Sequence, residues 1–516
     1  MPLISQFSKP LSTQQATHLL RRATFGVLPT QIKQFSGISA DAATKILLQI
    51  PSIPAPPLNP DTGKTFHDQS FDQVNQGKLQ NAFKQWFCGV AANQQATLIE
   101  KMVLFWQNHF VVAFNTVNDT RYMYDYYAIL RKNALGNFKT MVIEITKCPA
   151  MLQYLNGDSN EVGKPNENYA RELMELFTIG RGNYNEDDVK AAAKVLTGWK
   201  DFGYRDEKNA AVGSNFTATK HDSTNKQFSN FYQNTVIQGK TGATSGDLEL
   251  NDLVDMILKQ PETARFIVRK FYRFFVNFDI TPQIENEFIE PLAAIFRQNN
   301  YNILPVISTL LQSEHFFDNS IRACIIKSPL DLIIGTFRFF NQLPPDSTKD
   351  LAGFYDYTTF INNLSSVLQQ AVFDQPTVFG WKPYYDTGFY EIWINSTTLA
   401  FRSYVTDVLI YQGIKTGNTR AQIDTVTFAQ SMTTPSDPVK LLDELTANLF
   451  ATDIVQKQKD FLIDTVLMAG VPRYEWYNIW IDFANNPTNT MKKNAVKGRL
   501  DLLMIFMLRM AEYQMM

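Results

Sequence analysis

The sequence predicts a mainly α-helical protein, a large multi-helix body with one small β-hairpin-like excursion around residues 200–247. Apolar residues recur at helical spacing along most of the 516 residues, and serine, asparagine or proline stands where many of these stretches begin. Alternation of apolar and polar residues, the pattern of a strand, is confined to short pieces within 200–247. Hydrophobic residues make up 45% of the chain, which is typical of a globular protein with a large core.

The helical stretches follow one another along the chain, and each is bounded by a capping residue, a proline or a glycine. Ser12 or Thr13 can cap the first helix and Gly26 can end it, and Asn185 and Ser328 can cap two later helices. The expected helices cover residues 13–26, 29–50, 100–114, 122–132, 165–177, 186–198, 261–276 and 328–340, with two more within 285–318 and several over 397–516.

A linker is expected at residues 343–347, where the sequence is rich in proline. It divides the chain into a core helical domain at 1–342, which carries most of the polar motifs, and a C-terminal helical part at 343–516, which we expect to pack on the core. The C-terminal part carries a Gly-Trp loop. In this loop Trp381 and Trp393 could stack on a sugar or another ligand, or could fix the loop to the core.

Composition and charge exclude several classes of protein. The net charge of -2 gives no general attraction to nucleic acid, so no nucleic-acid partner is expected. Three widely spaced cysteines predict neither a disulfide framework nor a cysteine-rich zinc site. No stretch has the roughly eighteen apolar residues of a membrane span, and no secretion signal opens the chain, which predicts a cytoplasmic protein without a transmembrane segment. The sequence also lacks the common nucleotide-binding, zinc-protease and serine-hydrolase motifs.

The stretch of residues 156–199 is the most distinctive, and the helix predicted from Pro165 is its centre. Pro165 suits the first turn of a helix, Asn166 can cap it, and Glu167 favours the positive end of the helix dipole. Helical spacing gathers an apolar face from Tyr169, Leu173, Leu176 and Phe177, and an opposite polar face from Asn168, Glu172 and Glu175, with Arg171 beside it. Arg171 and Glu175 are one turn apart and can pair. Either this is an ordinary amphipathic helix with a solvated acidic face, or its polar residues line a site.

Two histidines lie in similarly ambiguous surroundings. His109 shares a helical face with Phe105 and Phe110, where a lone histidine is commonly a hydrogen-bonded core residue. His221 and Asp222 lie together on a predicted loop. They could ligate a metal or act as an oriented acid or base, or Asp222 could close a turn by bonding its own backbone.

Two groups of arginines also allow two interpretations. Arg21 and Arg22 could offset the dipole at the end of their helix, or could bind an anionic partner. Arg265, Arg269 and Arg273 recur every four residues, so they form a salt-bridged or solvated stripe, or face the acidic helix.

Five motifs, taken in order, resemble the large bacterial family called domain of unknown function 1800. They lie at residues 18–26, 105–110, 156–199, 220–239 and 375–396. The resemblance implies a mainly helical bacterial protein with no settled activity. It also implies a partner, because relatives are often encoded beside a sulfatase-like protein, and export in some relatives. Many relatives have a second histidine where this chain has Gln107.

Two functional hypotheses follow from these residues. The first is an enzyme, a hydrolase or a metal-dependent one, with a polar site made of carboxylates, histidines and an arginine. Its catalytic candidates are His109, Glu167, Arg171, Glu172, Glu175, His221 and Asp222. Its substrate-binding candidates are Asn156, Asn166, Lys226 and Trp381. The cofactor is unknown; a divalent metal would lower the pKa of a bound water, and a carboxylate pair could hydrolyse a glycan without one.

The second hypothesis is a structural or partner-binding protein whose polar cluster is a buried packing network. An open cavity surrounded by the candidate groups would favour the enzyme. Burial with complete mutual pairing would favour the packing network.

Overall fold

Helices dominate the structure, as the sequence predicts. The structure is a computed structural model, and it describes residues 3–385 and 390–516. Its helices surround a hydrophobic core whose buried side chains come from residues between Phe7 and Tyr513. Within the described ranges, no helix has both the length and the apolar character needed to cross a bilayer.

Two helices of the first 200 residues, those capped by Ser12 and Asn185, begin where the sequence places their caps. Ser12 Oγ accepts a hydrogen bond from the Gln15 amide at 3.3 Å, and Asn185 Oδ1 accepts one from the Asp188 amide at 3.0 Å. Return bonds complete both capping boxes. The α-helices of the first 200 residues are α1 (Thr13–Ala23), α2 (Pro29–Phe35), α3 (Ala40–Leu47), α4 (Gln76–Asn93), α5 (Ile99–His109), α6 (Thr120–Lys132), α7 (Phe138–Lys147), α8 (Pro149–Tyr154), α9 (Asn168–Glu172) and α10 (Glu186–Val195).

Two of the predicted helices have different bounds. The helix expected over residues 29–50 is divided into α2 and α3, because Gly37 adopts a left-handed φ of 83° between them. Helix α5 ends at His109 and does not reach residue 114. The carbonyl oxygen of Phe110 accepts a hydrogen bond of 2.7 Å from the Tyr126 hydroxyl, which replaces a helical N–H donor.

The remaining helices complete the body and cover the C-terminal part. They are α11 (Ser245–Leu258), α12 (Pro261–Phe275), α13 (Pro282–Ile284), α14 (Glu290–Gln298), α15 (Ile303–Gln312), α16 (Pro329–Phe339), α17 (Leu351–Val367), α18 (Lys382–Tyr385), α19 (Ser396–Tyr411), α20 (Thr425–Gln430), α21 (Pro438–Leu449), α22 (Gln456–Phe461), α23 (Tyr474–Ala484), α24 (Thr490–Arg509) and α25 (Ala511–Gln514). Wider π-helical turns cover Leu173–Thr178, Glu285–Ile289 and Leu462–Leu467, and short 3₁₀ turns cover Gly157–Ser159, Ala218–Lys220, Asn230–Tyr232, Asn319–Ile321 and Tyr390–Trp393.

The β-excursion lies where the sequence predicts it. Strand β1 (Trp199–Phe202) pairs antiparallel with β2 (Gly213–Phe216), and β3 (Lys226–Gln227) pairs with β4 (Val236–Ile237). A third antiparallel pair, β5 (Ile414–Thr416) with β6 (Thr419–Ala421), lies in the C-terminal part, for which only helices were predicted. That prediction was wrong for two reasons. Gly417, with φ 63°, allows a tight turn, and strands of only three residues are too short to show an alternating pattern in the sequence.

Helix α17 packs directly on α4. Gly89 in α4 leaves room for the ring of Phe354 in α17, and a Cβ atom on Gly89 would lie 2.3 Å from that ring. The division into two domains at residues 343–347 stays a prediction.

Helices α1 and α16 meet at a pair of glycines. Gly26, just after α1, has a φ of 86°, and a Cβ atom built on it would lie 2.3 Å from the Cα atom of Gly335 in α16. The reverse is not true, because a Cβ atom on Gly335 would meet its nearest neighbour, Gly26 Cα, at 3.5 Å. The close approach therefore depends on Gly26.

We expect Gly26→Ala to lower the free energy of unfolding by about 3 kcal/mol, because the left-handed backbone and the clash both oppose a side chain there. The matched variant Gly335→Ala should change it by less than about 1 kcal/mol. Urea denaturation followed by circular dichroism measures both. Equal losses in the two variants would contradict this account of the contact.

Candidate functional site

The central helix starts later than predicted and changes its pitch. It begins at Asn168, and Asn166 precedes it as a turn residue whose Oδ1 accepts a hydrogen bond from the Asn168 amide at 3.0 Å. After Glu172 the helix widens into the π-helical segment Leu173–Thr178. A π-helix has more residues per turn than the 3.6 of an α-helix, so residues beyond Glu172 rotate away from the predicted faces.

His109 is buried and bonded through both ring nitrogens. Its Nε2 lies 2.9 Å from the carbonyl oxygen of Phe177, and its Nδ1 lies 3.0 Å from Lys270 Nζ. Because a carbonyl oxygen only accepts, Nε2 carries the proton, and Nδ1 of the neutral ring is the acceptor toward Lys270. Burial, together with the charge of Lys270, holds the pKa of His109 well below its ordinary value. His109 is therefore a neutral core histidine.

Lys270, in α12, completes this contact. Its ammonium group also donates to the carbonyl oxygen of Leu176 at 3.1 Å and lies 4.6 Å from the ring centre of Phe266. Burial, with the charge of Arg273 nearby, lowers the pKa of Lys270 to about 7. Histidine and lysine thus hold two carbonyl oxygens at the end of the π-helical segment.

His221 and Lys226 converge on Glu249 in α11, and all three side chains are buried. His221 Nε2 lies 3.1 Å from Glu249 Oε1, and Lys226 Nζ donates to Glu249 Oε2. The amide of Lys240 donates to the same carboxylate at 2.6 Å. Burial alone would raise the pKa of Glu249, but the donors together outweigh it and lower that pKa. Lys226, predicted to bind substrate, is instead committed to a buried ion pair.

Asp222 closes a turn, the second of the two interpretations. Its Oδ1 accepts hydrogen bonds from the amide and hydroxyl of Thr224, at 2.8 and 2.5 Å. Its own amide donates to Thr197 Oγ1 at 2.8 Å, and the Thr197 carbonyl oxygen lies 3.0 Å from His221 Nδ1. The His221–Asp222 loop is thereby fixed to the end of α10.

The acidic face of the central helix pairs differently from the prediction. Arg171 binds Glu186 in a bidentate ion pair, with both N···O distances 2.7 Å, and approaches Glu167 at 3.2 Å. Glu175 instead binds Arg181 and accepts a hydrogen bond of 2.7 Å from the Tyr184 hydroxyl. The predicted Arg171–Glu175 pair was wrong because Glu175 lies beyond the point where the helix widens.

Glu172 differs from its neighbours. It is half-buried and forms no hydrogen bond or ion pair with any residue in the described part of the chain. Burial and the nearby charge of Glu175 raise the pKa of Glu172 to about 7. Among the predicted catalytic residues it has the acid strength that proton transfer near neutral pH requires.

The other substrate-binding candidates are backbone-supporting residues. Asn156 is exposed, has a left-handed φ of 56°, and its carbonyl oxygen accepts a hydrogen bond from Ser159. Trp381 is 1% exposed, and its amide donates to Asn108 Oδ1 at 2.7 Å. The tryptophan therefore fixes its loop to the core. Asn160, which sequence analysis did not single out, binds the Ala193 carbonyl oxygen and the Asn166 amide.

Two of the three arginines in the basic stripe on α12 are salt-bridged, which was the simpler of its two interpretations. Arg265 pairs with Glu262 and Glu290, and Arg269 with Glu262 and Glu285. The stripe does not pair with Glu172 or Glu175. Arg273, the last member, forms no ion pair within the described ranges, although the charge of Glu285 acts on it.

The structure brings together only part of the predicted site. The π-helical segment packs beside the end of α5, where the rings of Phe110 and Phe177 lie 5.2 Å apart. His221 belongs to a separate cluster whose partners, Thr197 and Glu249, do not bond to His109. Across residues 3–385 and 390–516, no group of three or more His, Cys, Asp and Glu side chains is placed to hold a metal ion.

Sequence analysis did not identify Glu249 or Lys270, the two residues that complete these clusters. Each left a weak signal, since a charged residue stands within an apolar stripe. Glu249 lies four residues before Leu253, and Lys270 lies four residues from both Phe266 and Phe274, on the same helical faces. A charged residue on a buried helical face requires a partner, so such positions indicate buried networks.

Comparison with known proteins identifies a family but no activity. A family model described as "Protein of unknown function (DUF1800)" matches residues 18–515. No curated protein and no solved structure matches the chain.

Lys270 predicts a pH dependence of stability. Between pH 7 and 10.5 the unfolded chain binds a proton at Lys270 and the folded chain does not, so the contribution of this lysine to stability rises with pH. The difference in melting temperature between wild type and Lys270→Met should therefore shift in favour of wild type from pH 7 to pH 9. Lys9→Met, at an exposed lysine, is the control and should show no such trend. A difference that stays constant across this range would contradict the lowered pKa.

Proposed function

The chain belongs to the DUF1800 family, and we propose that its polar motif residues form a packing network in a helical protein that acts by binding rather than by catalysis. The observation that carries this proposal is the pairing of His221 and Lys226 with Glu249 in a buried cluster. Burial with ion pairing between the members is the arrangement expected of a network that fixes how helices pack.

The energetics of this cluster support a structural role. Removing one member of a buried ion pair leaves an uncompensated charge and typically costs about 3–5 kcal/mol. A catalytic carboxylate or metal ligand must have an oxygen available to substrate or metal. Glu249 uses one oxygen for Lys226 and the other for His221 and the Lys240 amide.

His109 supports the same conclusion by a different arrangement. Both of its ring nitrogens are engaged, one by Phe177 and the other by Lys270. Its removal would release the carbonyl end of the π-helical segment, whose backbone acceptors need donors when they are buried. This accounts for the histidine without a reaction.

The test compares Glu249→Gln and His221→Ala with Glu172→Gln. The first two should lower the free energy of unfolding, Glu249→Gln by about 3–5 kcal/mol, because they leave a buried charge or carbonyl without its partner. Glu172→Gln should leave stability unchanged or raise it, because an unpaired half-buried carboxylate is removed. Thermal and urea unfolding, each with and without EDTA, measure the effects.

Metal analysis of the wild-type protein is the control. We expect less metal than one ion per chain and no effect of EDTA on melting. A stoichiometric metal that is lost in His221→Ala, together with a melting temperature lowered by EDTA, would restore the metal-dependent hydrolase.

On the family resemblance we also propose that the partner of this protein is the sulfatase-like protein encoded beside relatives. Co-expression with that neighbour should yield a complex in size-exclusion chromatography. Separate elution of the two proteins at micromolar concentration would contradict the pairing.

A further inference from the structure

A cavity of about 880 Å³ lies between helices from the two parts of the chain. Helices α2 and α16 of the N-terminal part line it on one side, and α20 and α21 of the C-terminal part line it on the other. Small-molecule sites in proteins measure about 300–1,000 Å³ and lie preferentially where separate structural units meet. This cavity is therefore large enough, and suitably placed, for an organic ligand.

One wall of the cavity is aromatic. The ring centroid of Phe428 in α20 lies 5.7 Å from that of Phe339 and 4.9 Å from that of Phe340. All three phenylalanines line the cavity, together with Ile32 and Met432. Such a wall favours the burial of an apolar ligand body, and an aromatic body can pack against the rings in an offset or edge-to-face arrangement.

The polar side of the cavity carries a carboxylate with an open oxygen. Glu444 in α21 is half-buried, and its Oε2 accepts a hydrogen bond from the Thr433 amide at 2.8 Å. Within residues 3–385 and 390–516, its Oε1 receives no hydrogen bond and the carboxylate forms no ion pair. Because solvent and salt screen a half-buried charge less than an exposed one, Glu444 attracts a cation.

Two amide side chains in the lining also present open acceptors. Asn448, one turn after Glu444, uses its Nδ2 to donate to the Glu444 carbonyl oxygen at 2.9 Å and to the sulfur of Met432 at 3.8 Å. Gln422 uses its Nε2 to donate to two backbone carbonyl oxygens, at 3.0 and 3.3 Å. In the described part of the chain, neither side-chain oxygen accepts a hydrogen bond. A ligand at this position must therefore supply the donors.

Two other charged residues line the cavity, and both are exposed. Lys33 in α2 forms no ion pair within the described ranges, and water screens its charge. Asp424 precedes α20, and the charge of Lys493 acts on it. Glu444 is therefore the least solvated charge in the lining, and it sets the preference of the cavity for the charge of a ligand.

We propose that this cavity binds a small primary amine with an aromatic or apolar body. An ammonium group brings three N–H donors and no acceptor, which matches Glu444 Oε1 and the amide oxygen of Asn448. Its bond to the carboxylate is charge-assisted, and the aromatic wall also attracts a cation. The proposal uses residues outside the packing network and does not rest on the function proposed above.

Four probes separate the parts of this proposal: phenethylamine, 3-phenylpropionate, 2-phenylethanol and ethylamine. Phenethylamine should raise the melting temperature of the wild-type protein and give a measurable Kd by calorimetry. 3-Phenylpropionate has a similar body but the opposite charge, so it should not bind. 2-Phenylethanol lacks the charge and ethylamine lacks the aromatic body, so both should bind more weakly than phenethylamine.

Glu444→Gln should weaken the binding of phenethylamine about tenfold or more, as expected for the loss of a charged hydrogen bond. The matched control is Asp443→Asn, which removes one carboxylate from the same helix. Asp443 pairs with Lys459 and does not line the cavity, so this variant should keep the wild-type affinity. Phe428→Leu, which removes a ring from the wall, should also weaken the binding.

A purely structural role for Glu444 predicts a different result. Glu444→Gln keeps an oxygen for the Thr433 amide, so without a probe its melting temperature should equal that of the wild type, whereas a structural carboxylate would lower it. The preference for phenethylamine over 3-phenylpropionate is measured on the wild-type protein and does not depend on the stability of a variant. No binding of phenethylamine at millimolar concentration, equal binding of the two probes, or equal losses in Glu444→Gln and Asp443→Asn would overturn the proposal.

Discussion

The structure depends on one recurring interaction, in which a buried cationic side chain caps the carbonyl end of another helix. The last carbonyl groups of a helix lack intrahelical donors, and in the core they have no water to bind. Arg22 donates to the carbonyl oxygens of Phe275 and Val276 at the end of α12, and Arg338 donates to those of Ala92 and Gln94 at the end of α4. Arg21 and Lys270 do the same for α21 and the π-helical segment, where the neutral His109 also donates to a carbonyl oxygen. These bonds fix how the helices approach one another. They explain why Arg21 and Arg22, which lie near the end of α1 and could offset its dipole, are buried.

This way of capping helices leaves excess positive charge in the core. A helix end presents only about half a negative charge, whereas each arginine or lysine brings a full positive one. Around the central helix the positive charge is balanced, because Arg171 pairs with Glu186 and Arg181 pairs with Glu175. Around Asp331 the excess positive charge is not balanced by carboxylates. Arg273 caps no helix in the described part of the chain. That contrast separates surface arginines paired with carboxylates from buried cations that bind mainly backbone carbonyl oxygens.

Local features of the fold could be predicted from the sequence, but its long-range partners could not. Ser12 and Asn185 cap their helices because capping involves residues three positions apart. Nothing in the local sequence reveals that the helix widens after Glu172. The α-helical spacing of 3.6 residues per turn therefore predicted the wrong carboxylate as the partner of Arg171. Glu249 meets His221 only after the β-excursion has folded back onto α11, and no periodicity records that contact. The sequence therefore predicted the candidate residues but not their arrangement. Tertiary packing divides them into separate clusters.

The small number of histidines in this chain does not by itself indicate a catalytic role for them. With only five histidines in 516 residues, those in family motifs invite a catalytic interpretation. Yet His18 lies 3.0 Å from the Phe316 carbonyl oxygen, and His315 lies 2.9 Å from the Tyr272 hydroxyl. Burial lowers the pKa of both, as it does for His109. A neutral imidazole can donate from one nitrogen and accept at the other, so it can join two buried polar groups without adding charge. In a core already rich in cationic caps, that neutrality is a sufficient physical reason for histidine at these positions.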